Sequence, residues 1–96
     1  MTDLVVKYHP KFFKDLEGLN KSQLEIVHKK IARIKEDPGQ FKHLHGGGSV
    51  YTIRIENMRL VFYFEAPNLW FLILDSRKSV YAEYVKRLYD LKTKLQ

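Results

Sequence analysis

The stretch that decides the fold runs from residue 50 to residue 75 and reads VYTIRIENMRLVFYFEAPNLWFLILD. Its strand-forming residues fall into three runs: Val50–Ile55, Met58–Phe64 and Leu69–Asp75. Glu56-Asn57 and Glu65–Asn68 have the composition of turns between these runs. The third run is apolar at both odd and even positions, which is typical of a central strand covered on both faces. The stretch therefore predicts three consecutive strands of an antiparallel sheet.

Upstream of this sheet, the chain predicts one short strand and two helices. Leu4–Tyr8 has the pattern of a strand, and His9-Pro10 ends it. A first helix begins at Pro10. The second has a single apolar stripe with steps of three and four residues: Leu24, Val27, Ile31 and Ile34. It ends at Asp37-Pro38-Gly39, and the short connection between the two helices predicts an antiparallel hairpin.

A last helix is predicted from about Ser79 onward. Its apolar residues recur on one side: Val80, Tyr81, Tyr84, Val85, Leu88 and Leu91. The element order is then β-α-α-β-β-β-α. This order predicts an α+β fold, with an antiparallel sheet packed against the helical hairpin and a C-terminal helix. Ninety-six residues make one such domain, which we expect to span residues 1–96.

The composition excludes several classes of protein. The chain has no cysteine, and so no disulfide framework, thiolate zinc site or cysteine nucleophile. Its longest apolar run, Leu69–Leu74, is far shorter than the roughly 18 residues that span a bilayer. We therefore expect a cytoplasmic protein with no membrane partner. Seventeen Lys and Arg against eleven Asp and Glu give a net charge of +6. This excess favours nucleic acid, a ribosome surface or an acidic protein as partner, although basic surfaces also serve solubility alone.

Two arginines mark one face of the predicted hairpin. Alternation along the strands assigns the core face to six residues: Tyr51, Ile53, Ile55, Leu60, Phe62 and Phe64. The other face is predicted to be exposed. If Glu56-Asn57 is a two-residue turn, Arg54 lies directly opposite Arg59 on that face, where like charges cost a few tenths to about 1 kcal/mol. Two guanidinium groups suit a phosphate between them. Alternatively, both side chains extend into water or pair with Glu56 and Glu65.

A second basic pair, Arg77 and Lys78, precedes the last helix, where positive charge opposes the helix dipole. Tyr81 follows one turn later. A helical tyrosine among apolar neighbours is usually a core residue. The alternative is that the Tyr81 side chain lies on the same surface as Arg77 and Lys78. There, a tyrosine can stack on a base or exchange a proton.

The loop before the hairpin carries His43 and His45 on either side of Leu44, followed by the triplet Gly46–Gly48. A His-x-His pair can bind a metal, but no third ligand stands at a supporting spacing. The glycines lack the lysine and hydroxyl residue of a phosphate-binding loop and precede a strand instead of a helix. We therefore predict a flexible turn here, with no metal site and no cofactor.

Five segments in a fixed order carry a family resemblance: Leu44-His45-Gly46, Tyr51–Ile55, Met58–Phe62, Arg77–Tyr81 and Ala82–Leu88. They resemble the RelE/ParE superfamily, the small basic toxins of type II toxin–antitoxin systems. The best local match is to the RelE branch, with its leucine-histidine-glycine step, basic strand, "YRLVY" strand and "K/R-S-x-V-Y" helix start. The resemblance covers roughly residues 40–90, and the first forty residues match in layout only.

The resemblance implies a RelE-like fold and an mRNA interferase, which is an endoribonuclease that enters the ribosomal A site, cuts the mRNA there and inhibits translation. The family chemistry needs no metal, because the ribose 2′-OH attacks the adjacent phosphorus and leaves a cyclic phosphate. The resemblance also implies a cognate antitoxin as partner, acidic where it wraps the toxin. We expect it to cover the face of Arg54 and Arg59 or to dislodge the last helix.

Site residues are carried over from the resemblance position by position. Arg59 matches the arginine of the "YRLVY" strand and would hold the scissile phosphate. Arg54 would balance transition-state charge or lower the pKa of a neighbour. Tyr81 would stack on the nucleotide or deprotonate it, and Arg77 matches the basic group before the helix. His45 is a further candidate base, with His43 beside it, and Lys78 joins Arg54 and Arg59 in binding RNA.

The chain departs from the RelE pattern at two positions. Thr52 and Asp75 stand where the pattern has basic residues, and neither can supply that charge. These departures keep two alternatives open. The first is a ParE-like inhibitor that binds DNA gyrase without cutting RNA, and the second is a non-catalytic basic module that only binds nucleic acid.

Overall fold

One sheet organises the chain, and helices cover both of its faces. The computed structural model describes residues 3–43 and 48–93. Within them lie these strands and helices: β1 (Val5–Tyr8), α1 (Pro10–Glu17), α2 (Lys21–Glu36), β2 (Lys42–His43), β3 (Val50–Ile55), β4 (Met58–Glu65), β5 (Asn68–Asp75) and α3 (Val80–Thr93). A turn of 3₁₀ helix, Pro38–Gln40, follows α2. In this part of the chain, no helix has the length and apolar character needed to cross a membrane.

The strand order in the sheet is β1-β5-β4-β3-β2. The predicted β-α-α-β-β-β-α order is confirmed, and β3, β4 and β5 pair antiparallel as expected. Two features are additional. β2 forms inside the predicted loop, pairing Lys42 with Thr52 and His43 with Tyr51. β1 runs parallel to β5. No tight turn joins those two strands, because both helices and the hairpin lie between them, and a long connection permits parallel pairing.

The helical hairpin begins with well-formed caps. His9 is the N-cap of α1, and its ring accepts a hydrogen bond from the Lys11 backbone N–H at 3.1 Å. Asn20 caps α2, where Asn20 and Gln23 each accept a hydrogen bond from the other's backbone N–H, at 2.8 and 3.1 Å. Such reciprocal bonds satisfy two N–H groups that the first turn leaves without partners. The first helix therefore starts at Pro10, as the sequence predicts, and the second starts at Lys21, directly after its cap.

The first core lies between the hairpin and the sheet. Four helix residues and eight strand residues are buried in it: Phe12, Val27, Ile31, Ile34, Tyr51, Ile55, Met58, Leu60, Phe62, Leu69, Phe71 and Leu74. Ile53 and Phe64 pack against it. The face that alternation assigned to the core is thus confirmed.

The second core corrects the prediction of an exposed face. α3 packs over β5 and over Val61 of β4 on that face, and six residues are buried between the helix and the sheet: Val61, Leu72, Ile73, Val80, Tyr84 and Leu91. The apolar stripe predicted for α3 is also narrower than expected, since Tyr81 and Val85 are exposed while Arg87 is buried. The reason is that positions 80, 84, 87 and 91 form the inward row, with steps of four, three and four residues.

A β-bulge interrupts the pairing of β4 with β5. Val61 pairs with Ile73 and Phe62 with Phe71, so Leu72 is the extra residue. A bulge breaks the alternation of side chains at that point. As a result, the successive residues Leu72 and Ile73 both belong to the second core.

A buried ion pair closes the free edge of β5. β1 ends at Tyr8, opposite Phe71, so no strand pairs with the rest of that edge. Asp15 of α1 accepts a hydrogen bond from the Leu74 backbone N–H at 3.0 Å. Arg87 of α3 donates to the Leu72 carbonyl at 2.8 Å and to the Asp15 carboxylate at 2.7 Å. We call Asp15 and Arg87 the edge bridge, because it joins helices from opposite faces of the sheet.

Candidate phosphate-binding cleft

A cleft of about 270 Å³ lies where the β3–β4 turn meets the segment between β5 and α3. Its lining residues are Arg54, Asn57, Arg59, Ser76, Arg77, Lys78, Val80 and Tyr81. We call it the arginine cleft. Five of the six site residues named from the sequence meet there, although they come from three separate parts of the chain.

The hairpin turn places Arg54 opposite Arg59. Ile55 pairs with Met58, so the turn has two residues, and Arg54 pairs with Arg59 as predicted. Glu56 makes the turn possible by adopting a φ of 55° in the left-handed region. The Arg54 Nε donates to the Glu56 backbone carbonyl at 3.0 Å, and not to its carboxylate. Neighbouring strands thus bring two arginines to one cleft, and neither has an ion pair among the described residues.

Arg59 is a half-buried cation of the cleft that no carboxylate among the described residues compensates. Across the sheet it pairs with Asp75 on β5 as well as with Arg54 on β3. The Asp75 carboxylate, however, is held by Arg77. Within the described part of the chain, the Arg59 side chain has no ion pair and no hydrogen bond. A partly desolvated guanidinium without an anion attracts one strongly.

Arg77 is bound by Asp75 through a two-pronged contact. Its Nη2 donates to Oδ2 at 2.8 Å, and its Nε lies 3.1 Å from both carboxylate oxygens. The hydrogen bond from Arg77 holds the pKa of Asp75 below its usual value and raises the pKa of Arg77. Because Arg77 is exposed, we expect this ion pair to contribute little to the free energy of unfolding. Its main effect is to neutralise one positive charge of the cleft.

We predict that Arg77→Ala raises the pKa of Asp75 toward its usual value of about 3.9. The folded-state pKa is the depressed one, so the stabilisation from this pair is fully present above about pH 4 and is lost as the pH falls from there through the lower folded-state pKa. An NMR titration of the Asp75 carboxyl carbon measures the change. Lys29→Ala, on the exposed side of α2, is the matched control. An unchanged Asp75 titration in Arg77→Ala would show that the pair does not form in solution.

Tyr81 and Lys78 complete one wall of the cleft. Tyr81 lies in the first turn of α3 with 39% of its surface exposed, and it lines the cleft beside Lys78. Tyr84, one turn on, is the tyrosine that enters the second core. Of the two alternatives for Tyr81, the structure therefore shows the one that faces the cations.

Three other positions lie outside the cleft. His45 falls in a part of the loop outside the described residues. His43 belongs to β2, where its Nδ1 lies 2.8 Å from the Gly48 carbonyl and its ring packs on Tyr51. Thr52 is half-buried, and its hydroxyl has no hydrogen-bond partner among the described residues. In residues 3–43 and 48–93, no group of three or more His, Asp or Glu side chains is placed to hold a metal.

The structure adds two polar residues to the cleft that sequence reasoning missed. Asn57, in the hairpin turn, and Ser76, after β5, both line it. Asn57 could have been found, because a two-residue turn beside the Arg54–Arg59 pair necessarily lies at the same end of the sheet. No sequence pattern pointed to Ser76 as a residue of the cleft. Their side chains can donate hydrogen bonds to a bound anion.

The cleft has the chemistry of a phosphodiester site. Four cations, two hydrogen-bonding side chains and one tyrosine ring surround a volume that admits a nucleotide phosphate. Arginine pairs suit phosphate oxygens, and an exposed tyrosine suits an unstacked base. Tyr81 carries the only hydroxyl in the lining besides that of Ser76.

Sequence comparison finds no relative, since no protein-family model and no curated protein matches the chain. Solved structures do match. The free form of an Escherichia coli RelE toxin, an arginine-to-alanine double mutant, superimposes with a TM-score of 0.73 and 23% identity, over 92% of this chain and 99% of that one.

Two RelB–RelE complexes match as well. The toxin–antitoxin complex from Mycobacterium tuberculosis gives a TM-score of 0.65 at 20% identity, covering 80% of this chain and 94% of that chain. The complex from Pyrococcus horikoshii gives 0.64 at 23% identity, covering 81% and 98%. The chain therefore has the RelE toxin fold.

Proposed function

We propose that the chain is a toxin that cuts mRNA on the ribosome, with the arginine cleft as its active site. One observation carries the proposal. Arg54 and Arg59 pair across neighbouring strands, both line the cleft, and neither side chain has an ion pair among the described residues. Like charges placed opposite each other destabilise a sheet. Their arrangement is explained if a phosphate occupies the space between them.

The proposed reaction is an attack by the ribose 2′-oxygen on the adjacent phosphorus. A bond forms between O2′ and phosphorus, the bond from phosphorus to O5′ breaks, and a 2′,3′-cyclic phosphate and a 5′-hydroxyl result. Arg59 and Arg54 bind the non-bridging oxygens, where negative charge increases in the transition state. The Tyr81 ring stacks on the nucleotide and holds the 2′-hydroxyl in line. Solvent water accepts the proton of the 2′-hydroxyl, and water supplies one to O5′ as it leaves.

The proposal includes two kinds of partner. The first is the ribosome with mRNA in its A site, which supplies the single-stranded substrate to a basic cleft. The second is a cognate antitoxin, since several structures of the same fold were solved as complexes of toxin with antitoxin. An acidic antitoxin segment over the arginine cleft would neutralise its cations and cover Tyr81.

We predict discrete cuts at the A-site codon when the protein is added to a reconstituted translation reaction, read by primer extension. An mRNA with a single 2′-deoxynucleotide at the cut position removes the nucleophile, so we expect that cut to disappear. Cleavage elsewhere in the same mRNA is the internal control. Persistence of the cut at the deoxynucleotide would contradict the 2′-oxygen mechanism.

Inhibition of DNA gyrase is the second candidate, and two observations favour it. Thr52 is half-buried and uncharged, and Asp75 occupies the hydrogen-bonding edge of Arg77. Both reduce the number of free cations available for catalysis. Intact mRNA in the translation reaction, together with loss of DNA supercoiling in a gyrase assay, would identify this function. Intact mRNA without gyrase inhibition would leave a module that binds nucleic acid without catalysis.

A further inference from the structure

The outer side of α3 carries a row of exposed apolar side chains. Tyr81, Val85 and Tyr89 are exposed over 39%, 54% and 63% of their surface. Residues four apart lie on the same side of a helix. With a rise of 1.5 Å per residue, the row extends for about 12 Å from Tyr81 to Tyr89. We call these three residues the outer row.

The outer row has a positive charge beside it, whereas the two acidic residues of α3 point to the inner side of the helix. Both acidic residues of α3 are held by partners on the inner side: Glu83 lies 3.3 Å from Arg87, and Asp90 lies 3.0 Å from His9. Lys86 is exposed beside the row. The outer side of α3 therefore combines aromatic rings with positive charge, and its carboxylates are turned away. This complements a polyanion that has flat apolar groups.

The outer row continues the arginine cleft. Tyr81 belongs to both, since it lines the cleft at one end of the row. A strand whose phosphate sits between Arg54 and Arg59 can therefore pass Tyr81 and continue along α3. A stacked strand rises about 3.4 Å per nucleotide along its axis, so three to four nucleotides cover the length of the row.

We propose that the outer row is a binding surface for single-stranded RNA flanking the cleft. Tyr89 supplies a second stacking platform beyond Tyr81, Val85 fills the space between them, and Lys86 contacts a phosphate. Aromatic rings that alternate with cations are the usual surface for single-stranded nucleic acid. The inference rests on the proposed function only for the path of the RNA as it leaves the cleft.

The test measures binding of fluorescent 2′-O-methyl oligonucleotides by anisotropy, because such RNA cannot be cut. A trimer reaches the cleft alone, and a nonamer also reaches the outer row. We expect Tyr89→Ala to weaken nonamer binding about tenfold and to leave trimer binding unchanged. Tyr89→Phe keeps the ring and retains the affinity. Lys86→Ala lowers both the nonamer affinity and its salt dependence.

Phe13→Ala is the matched control, because Phe13 is an aromatic residue on α1 with 53% of its surface exposed and lies outside the row. It should leave nonamer binding unchanged. Unchanged nonamer binding by Tyr89→Ala would overturn the proposal. So would a loss confined to binding of an acidic amphipathic peptide, which would make the row a protein interface. Weakened nonamer binding by a protein that cuts no mRNA would support the outer row and reject the catalytic function.

Discussion

Arg59→Ala is expected to lower the rate of mRNA cleavage by about 10²–10³-fold, the usual effect of removing one group that stabilises transition-state charge. The same change should leave folding intact or raise the free energy of unfolding by a few tenths to about 1 kcal/mol. The reason is that it removes the electrostatic repulsion between Arg54 and Arg59 on neighbouring strands. A residue with a purely structural role would not combine lost activity with unchanged or higher stability. Single-turnover primer extension and urea denaturation measure the two quantities.

Two further variants sharpen the test of Arg59. Arg59→Lys keeps the charge but loses the forked pair of donors, so its rate should fall between those of the wild type and the alanine variant. Arg33→Ala removes an exposed arginine from α2, away from the cleft, and should cut mRNA at the wild-type rate. If Arg59→Ala cuts as fast as Arg33→Ala, the arginine cleft is not the active site.

Arg87→Ala is expected to lower the free energy of unfolding by about 3–5 kcal/mol. The side chains of the edge bridge are only 8% and 15% exposed. Removing the guanidinium leaves the Asp15 carboxylate buried without a counter-ion and the Leu72 carbonyl without its donor. A loss of this size is a large share of the roughly 5–15 kcal/mol typical of a small protein.

Urea denaturation measures the effect, and a double variant shows its origin. Arg87→Met combined with Asp15→Asn removes both charges, so it should cost less than the sum of the two single changes. Arg77→Ala breaks the exposed ion pair with Asp75 and provides the comparison, with little expected change in the urea midpoint. A midpoint for Arg87→Ala equal to that of Arg77→Ala would contradict a stabilising edge bridge.

Sequence patterns predicted the parts of the fold that depend on local spacing. Alternation in β3 and β4 identified the face of the first core, and the two-residue turn at Glu56-Asn57 placed Arg54 opposite Arg59. Both follow from the period of a strand and the length of a turn, which are written in the sequence. The arginine cleft was predictable to the same extent, because its centre is this cross-strand pair.

The remaining features depend on contacts between distant residues. A helical arginine among polar neighbours predicts an exposed side chain, and only the free edge of β5 explains why Arg87 is buried. In the sequence, Asp75 stands where the family pattern has a basic residue. In the structure, its carboxylate forms an ion pair with Arg77. Cover on both faces of β5 was predicted from its apolar run, whereas Arg54 and Arg59 made the neighbouring face of β3 and β4 look polar although Val61 lies under α3.

The bulge at Leu72 decides which residue of β5 lies beside Arg59 in the cleft. Beyond the bulge, the alternation of β5 resumes one residue out of step, so Leu74 enters the first core and Asp75 faces the same side as Arg59. In a regular strand of the same length, Asp75 would point toward the helical hairpin. Losing the extra residue Leu72 would restore a regular strand and keep Asp75 opposite Arg59, whereas a β5 of the present length without the bulge would place Leu74 there. The bulge therefore holds the carboxylate that binds Arg77 at the cleft.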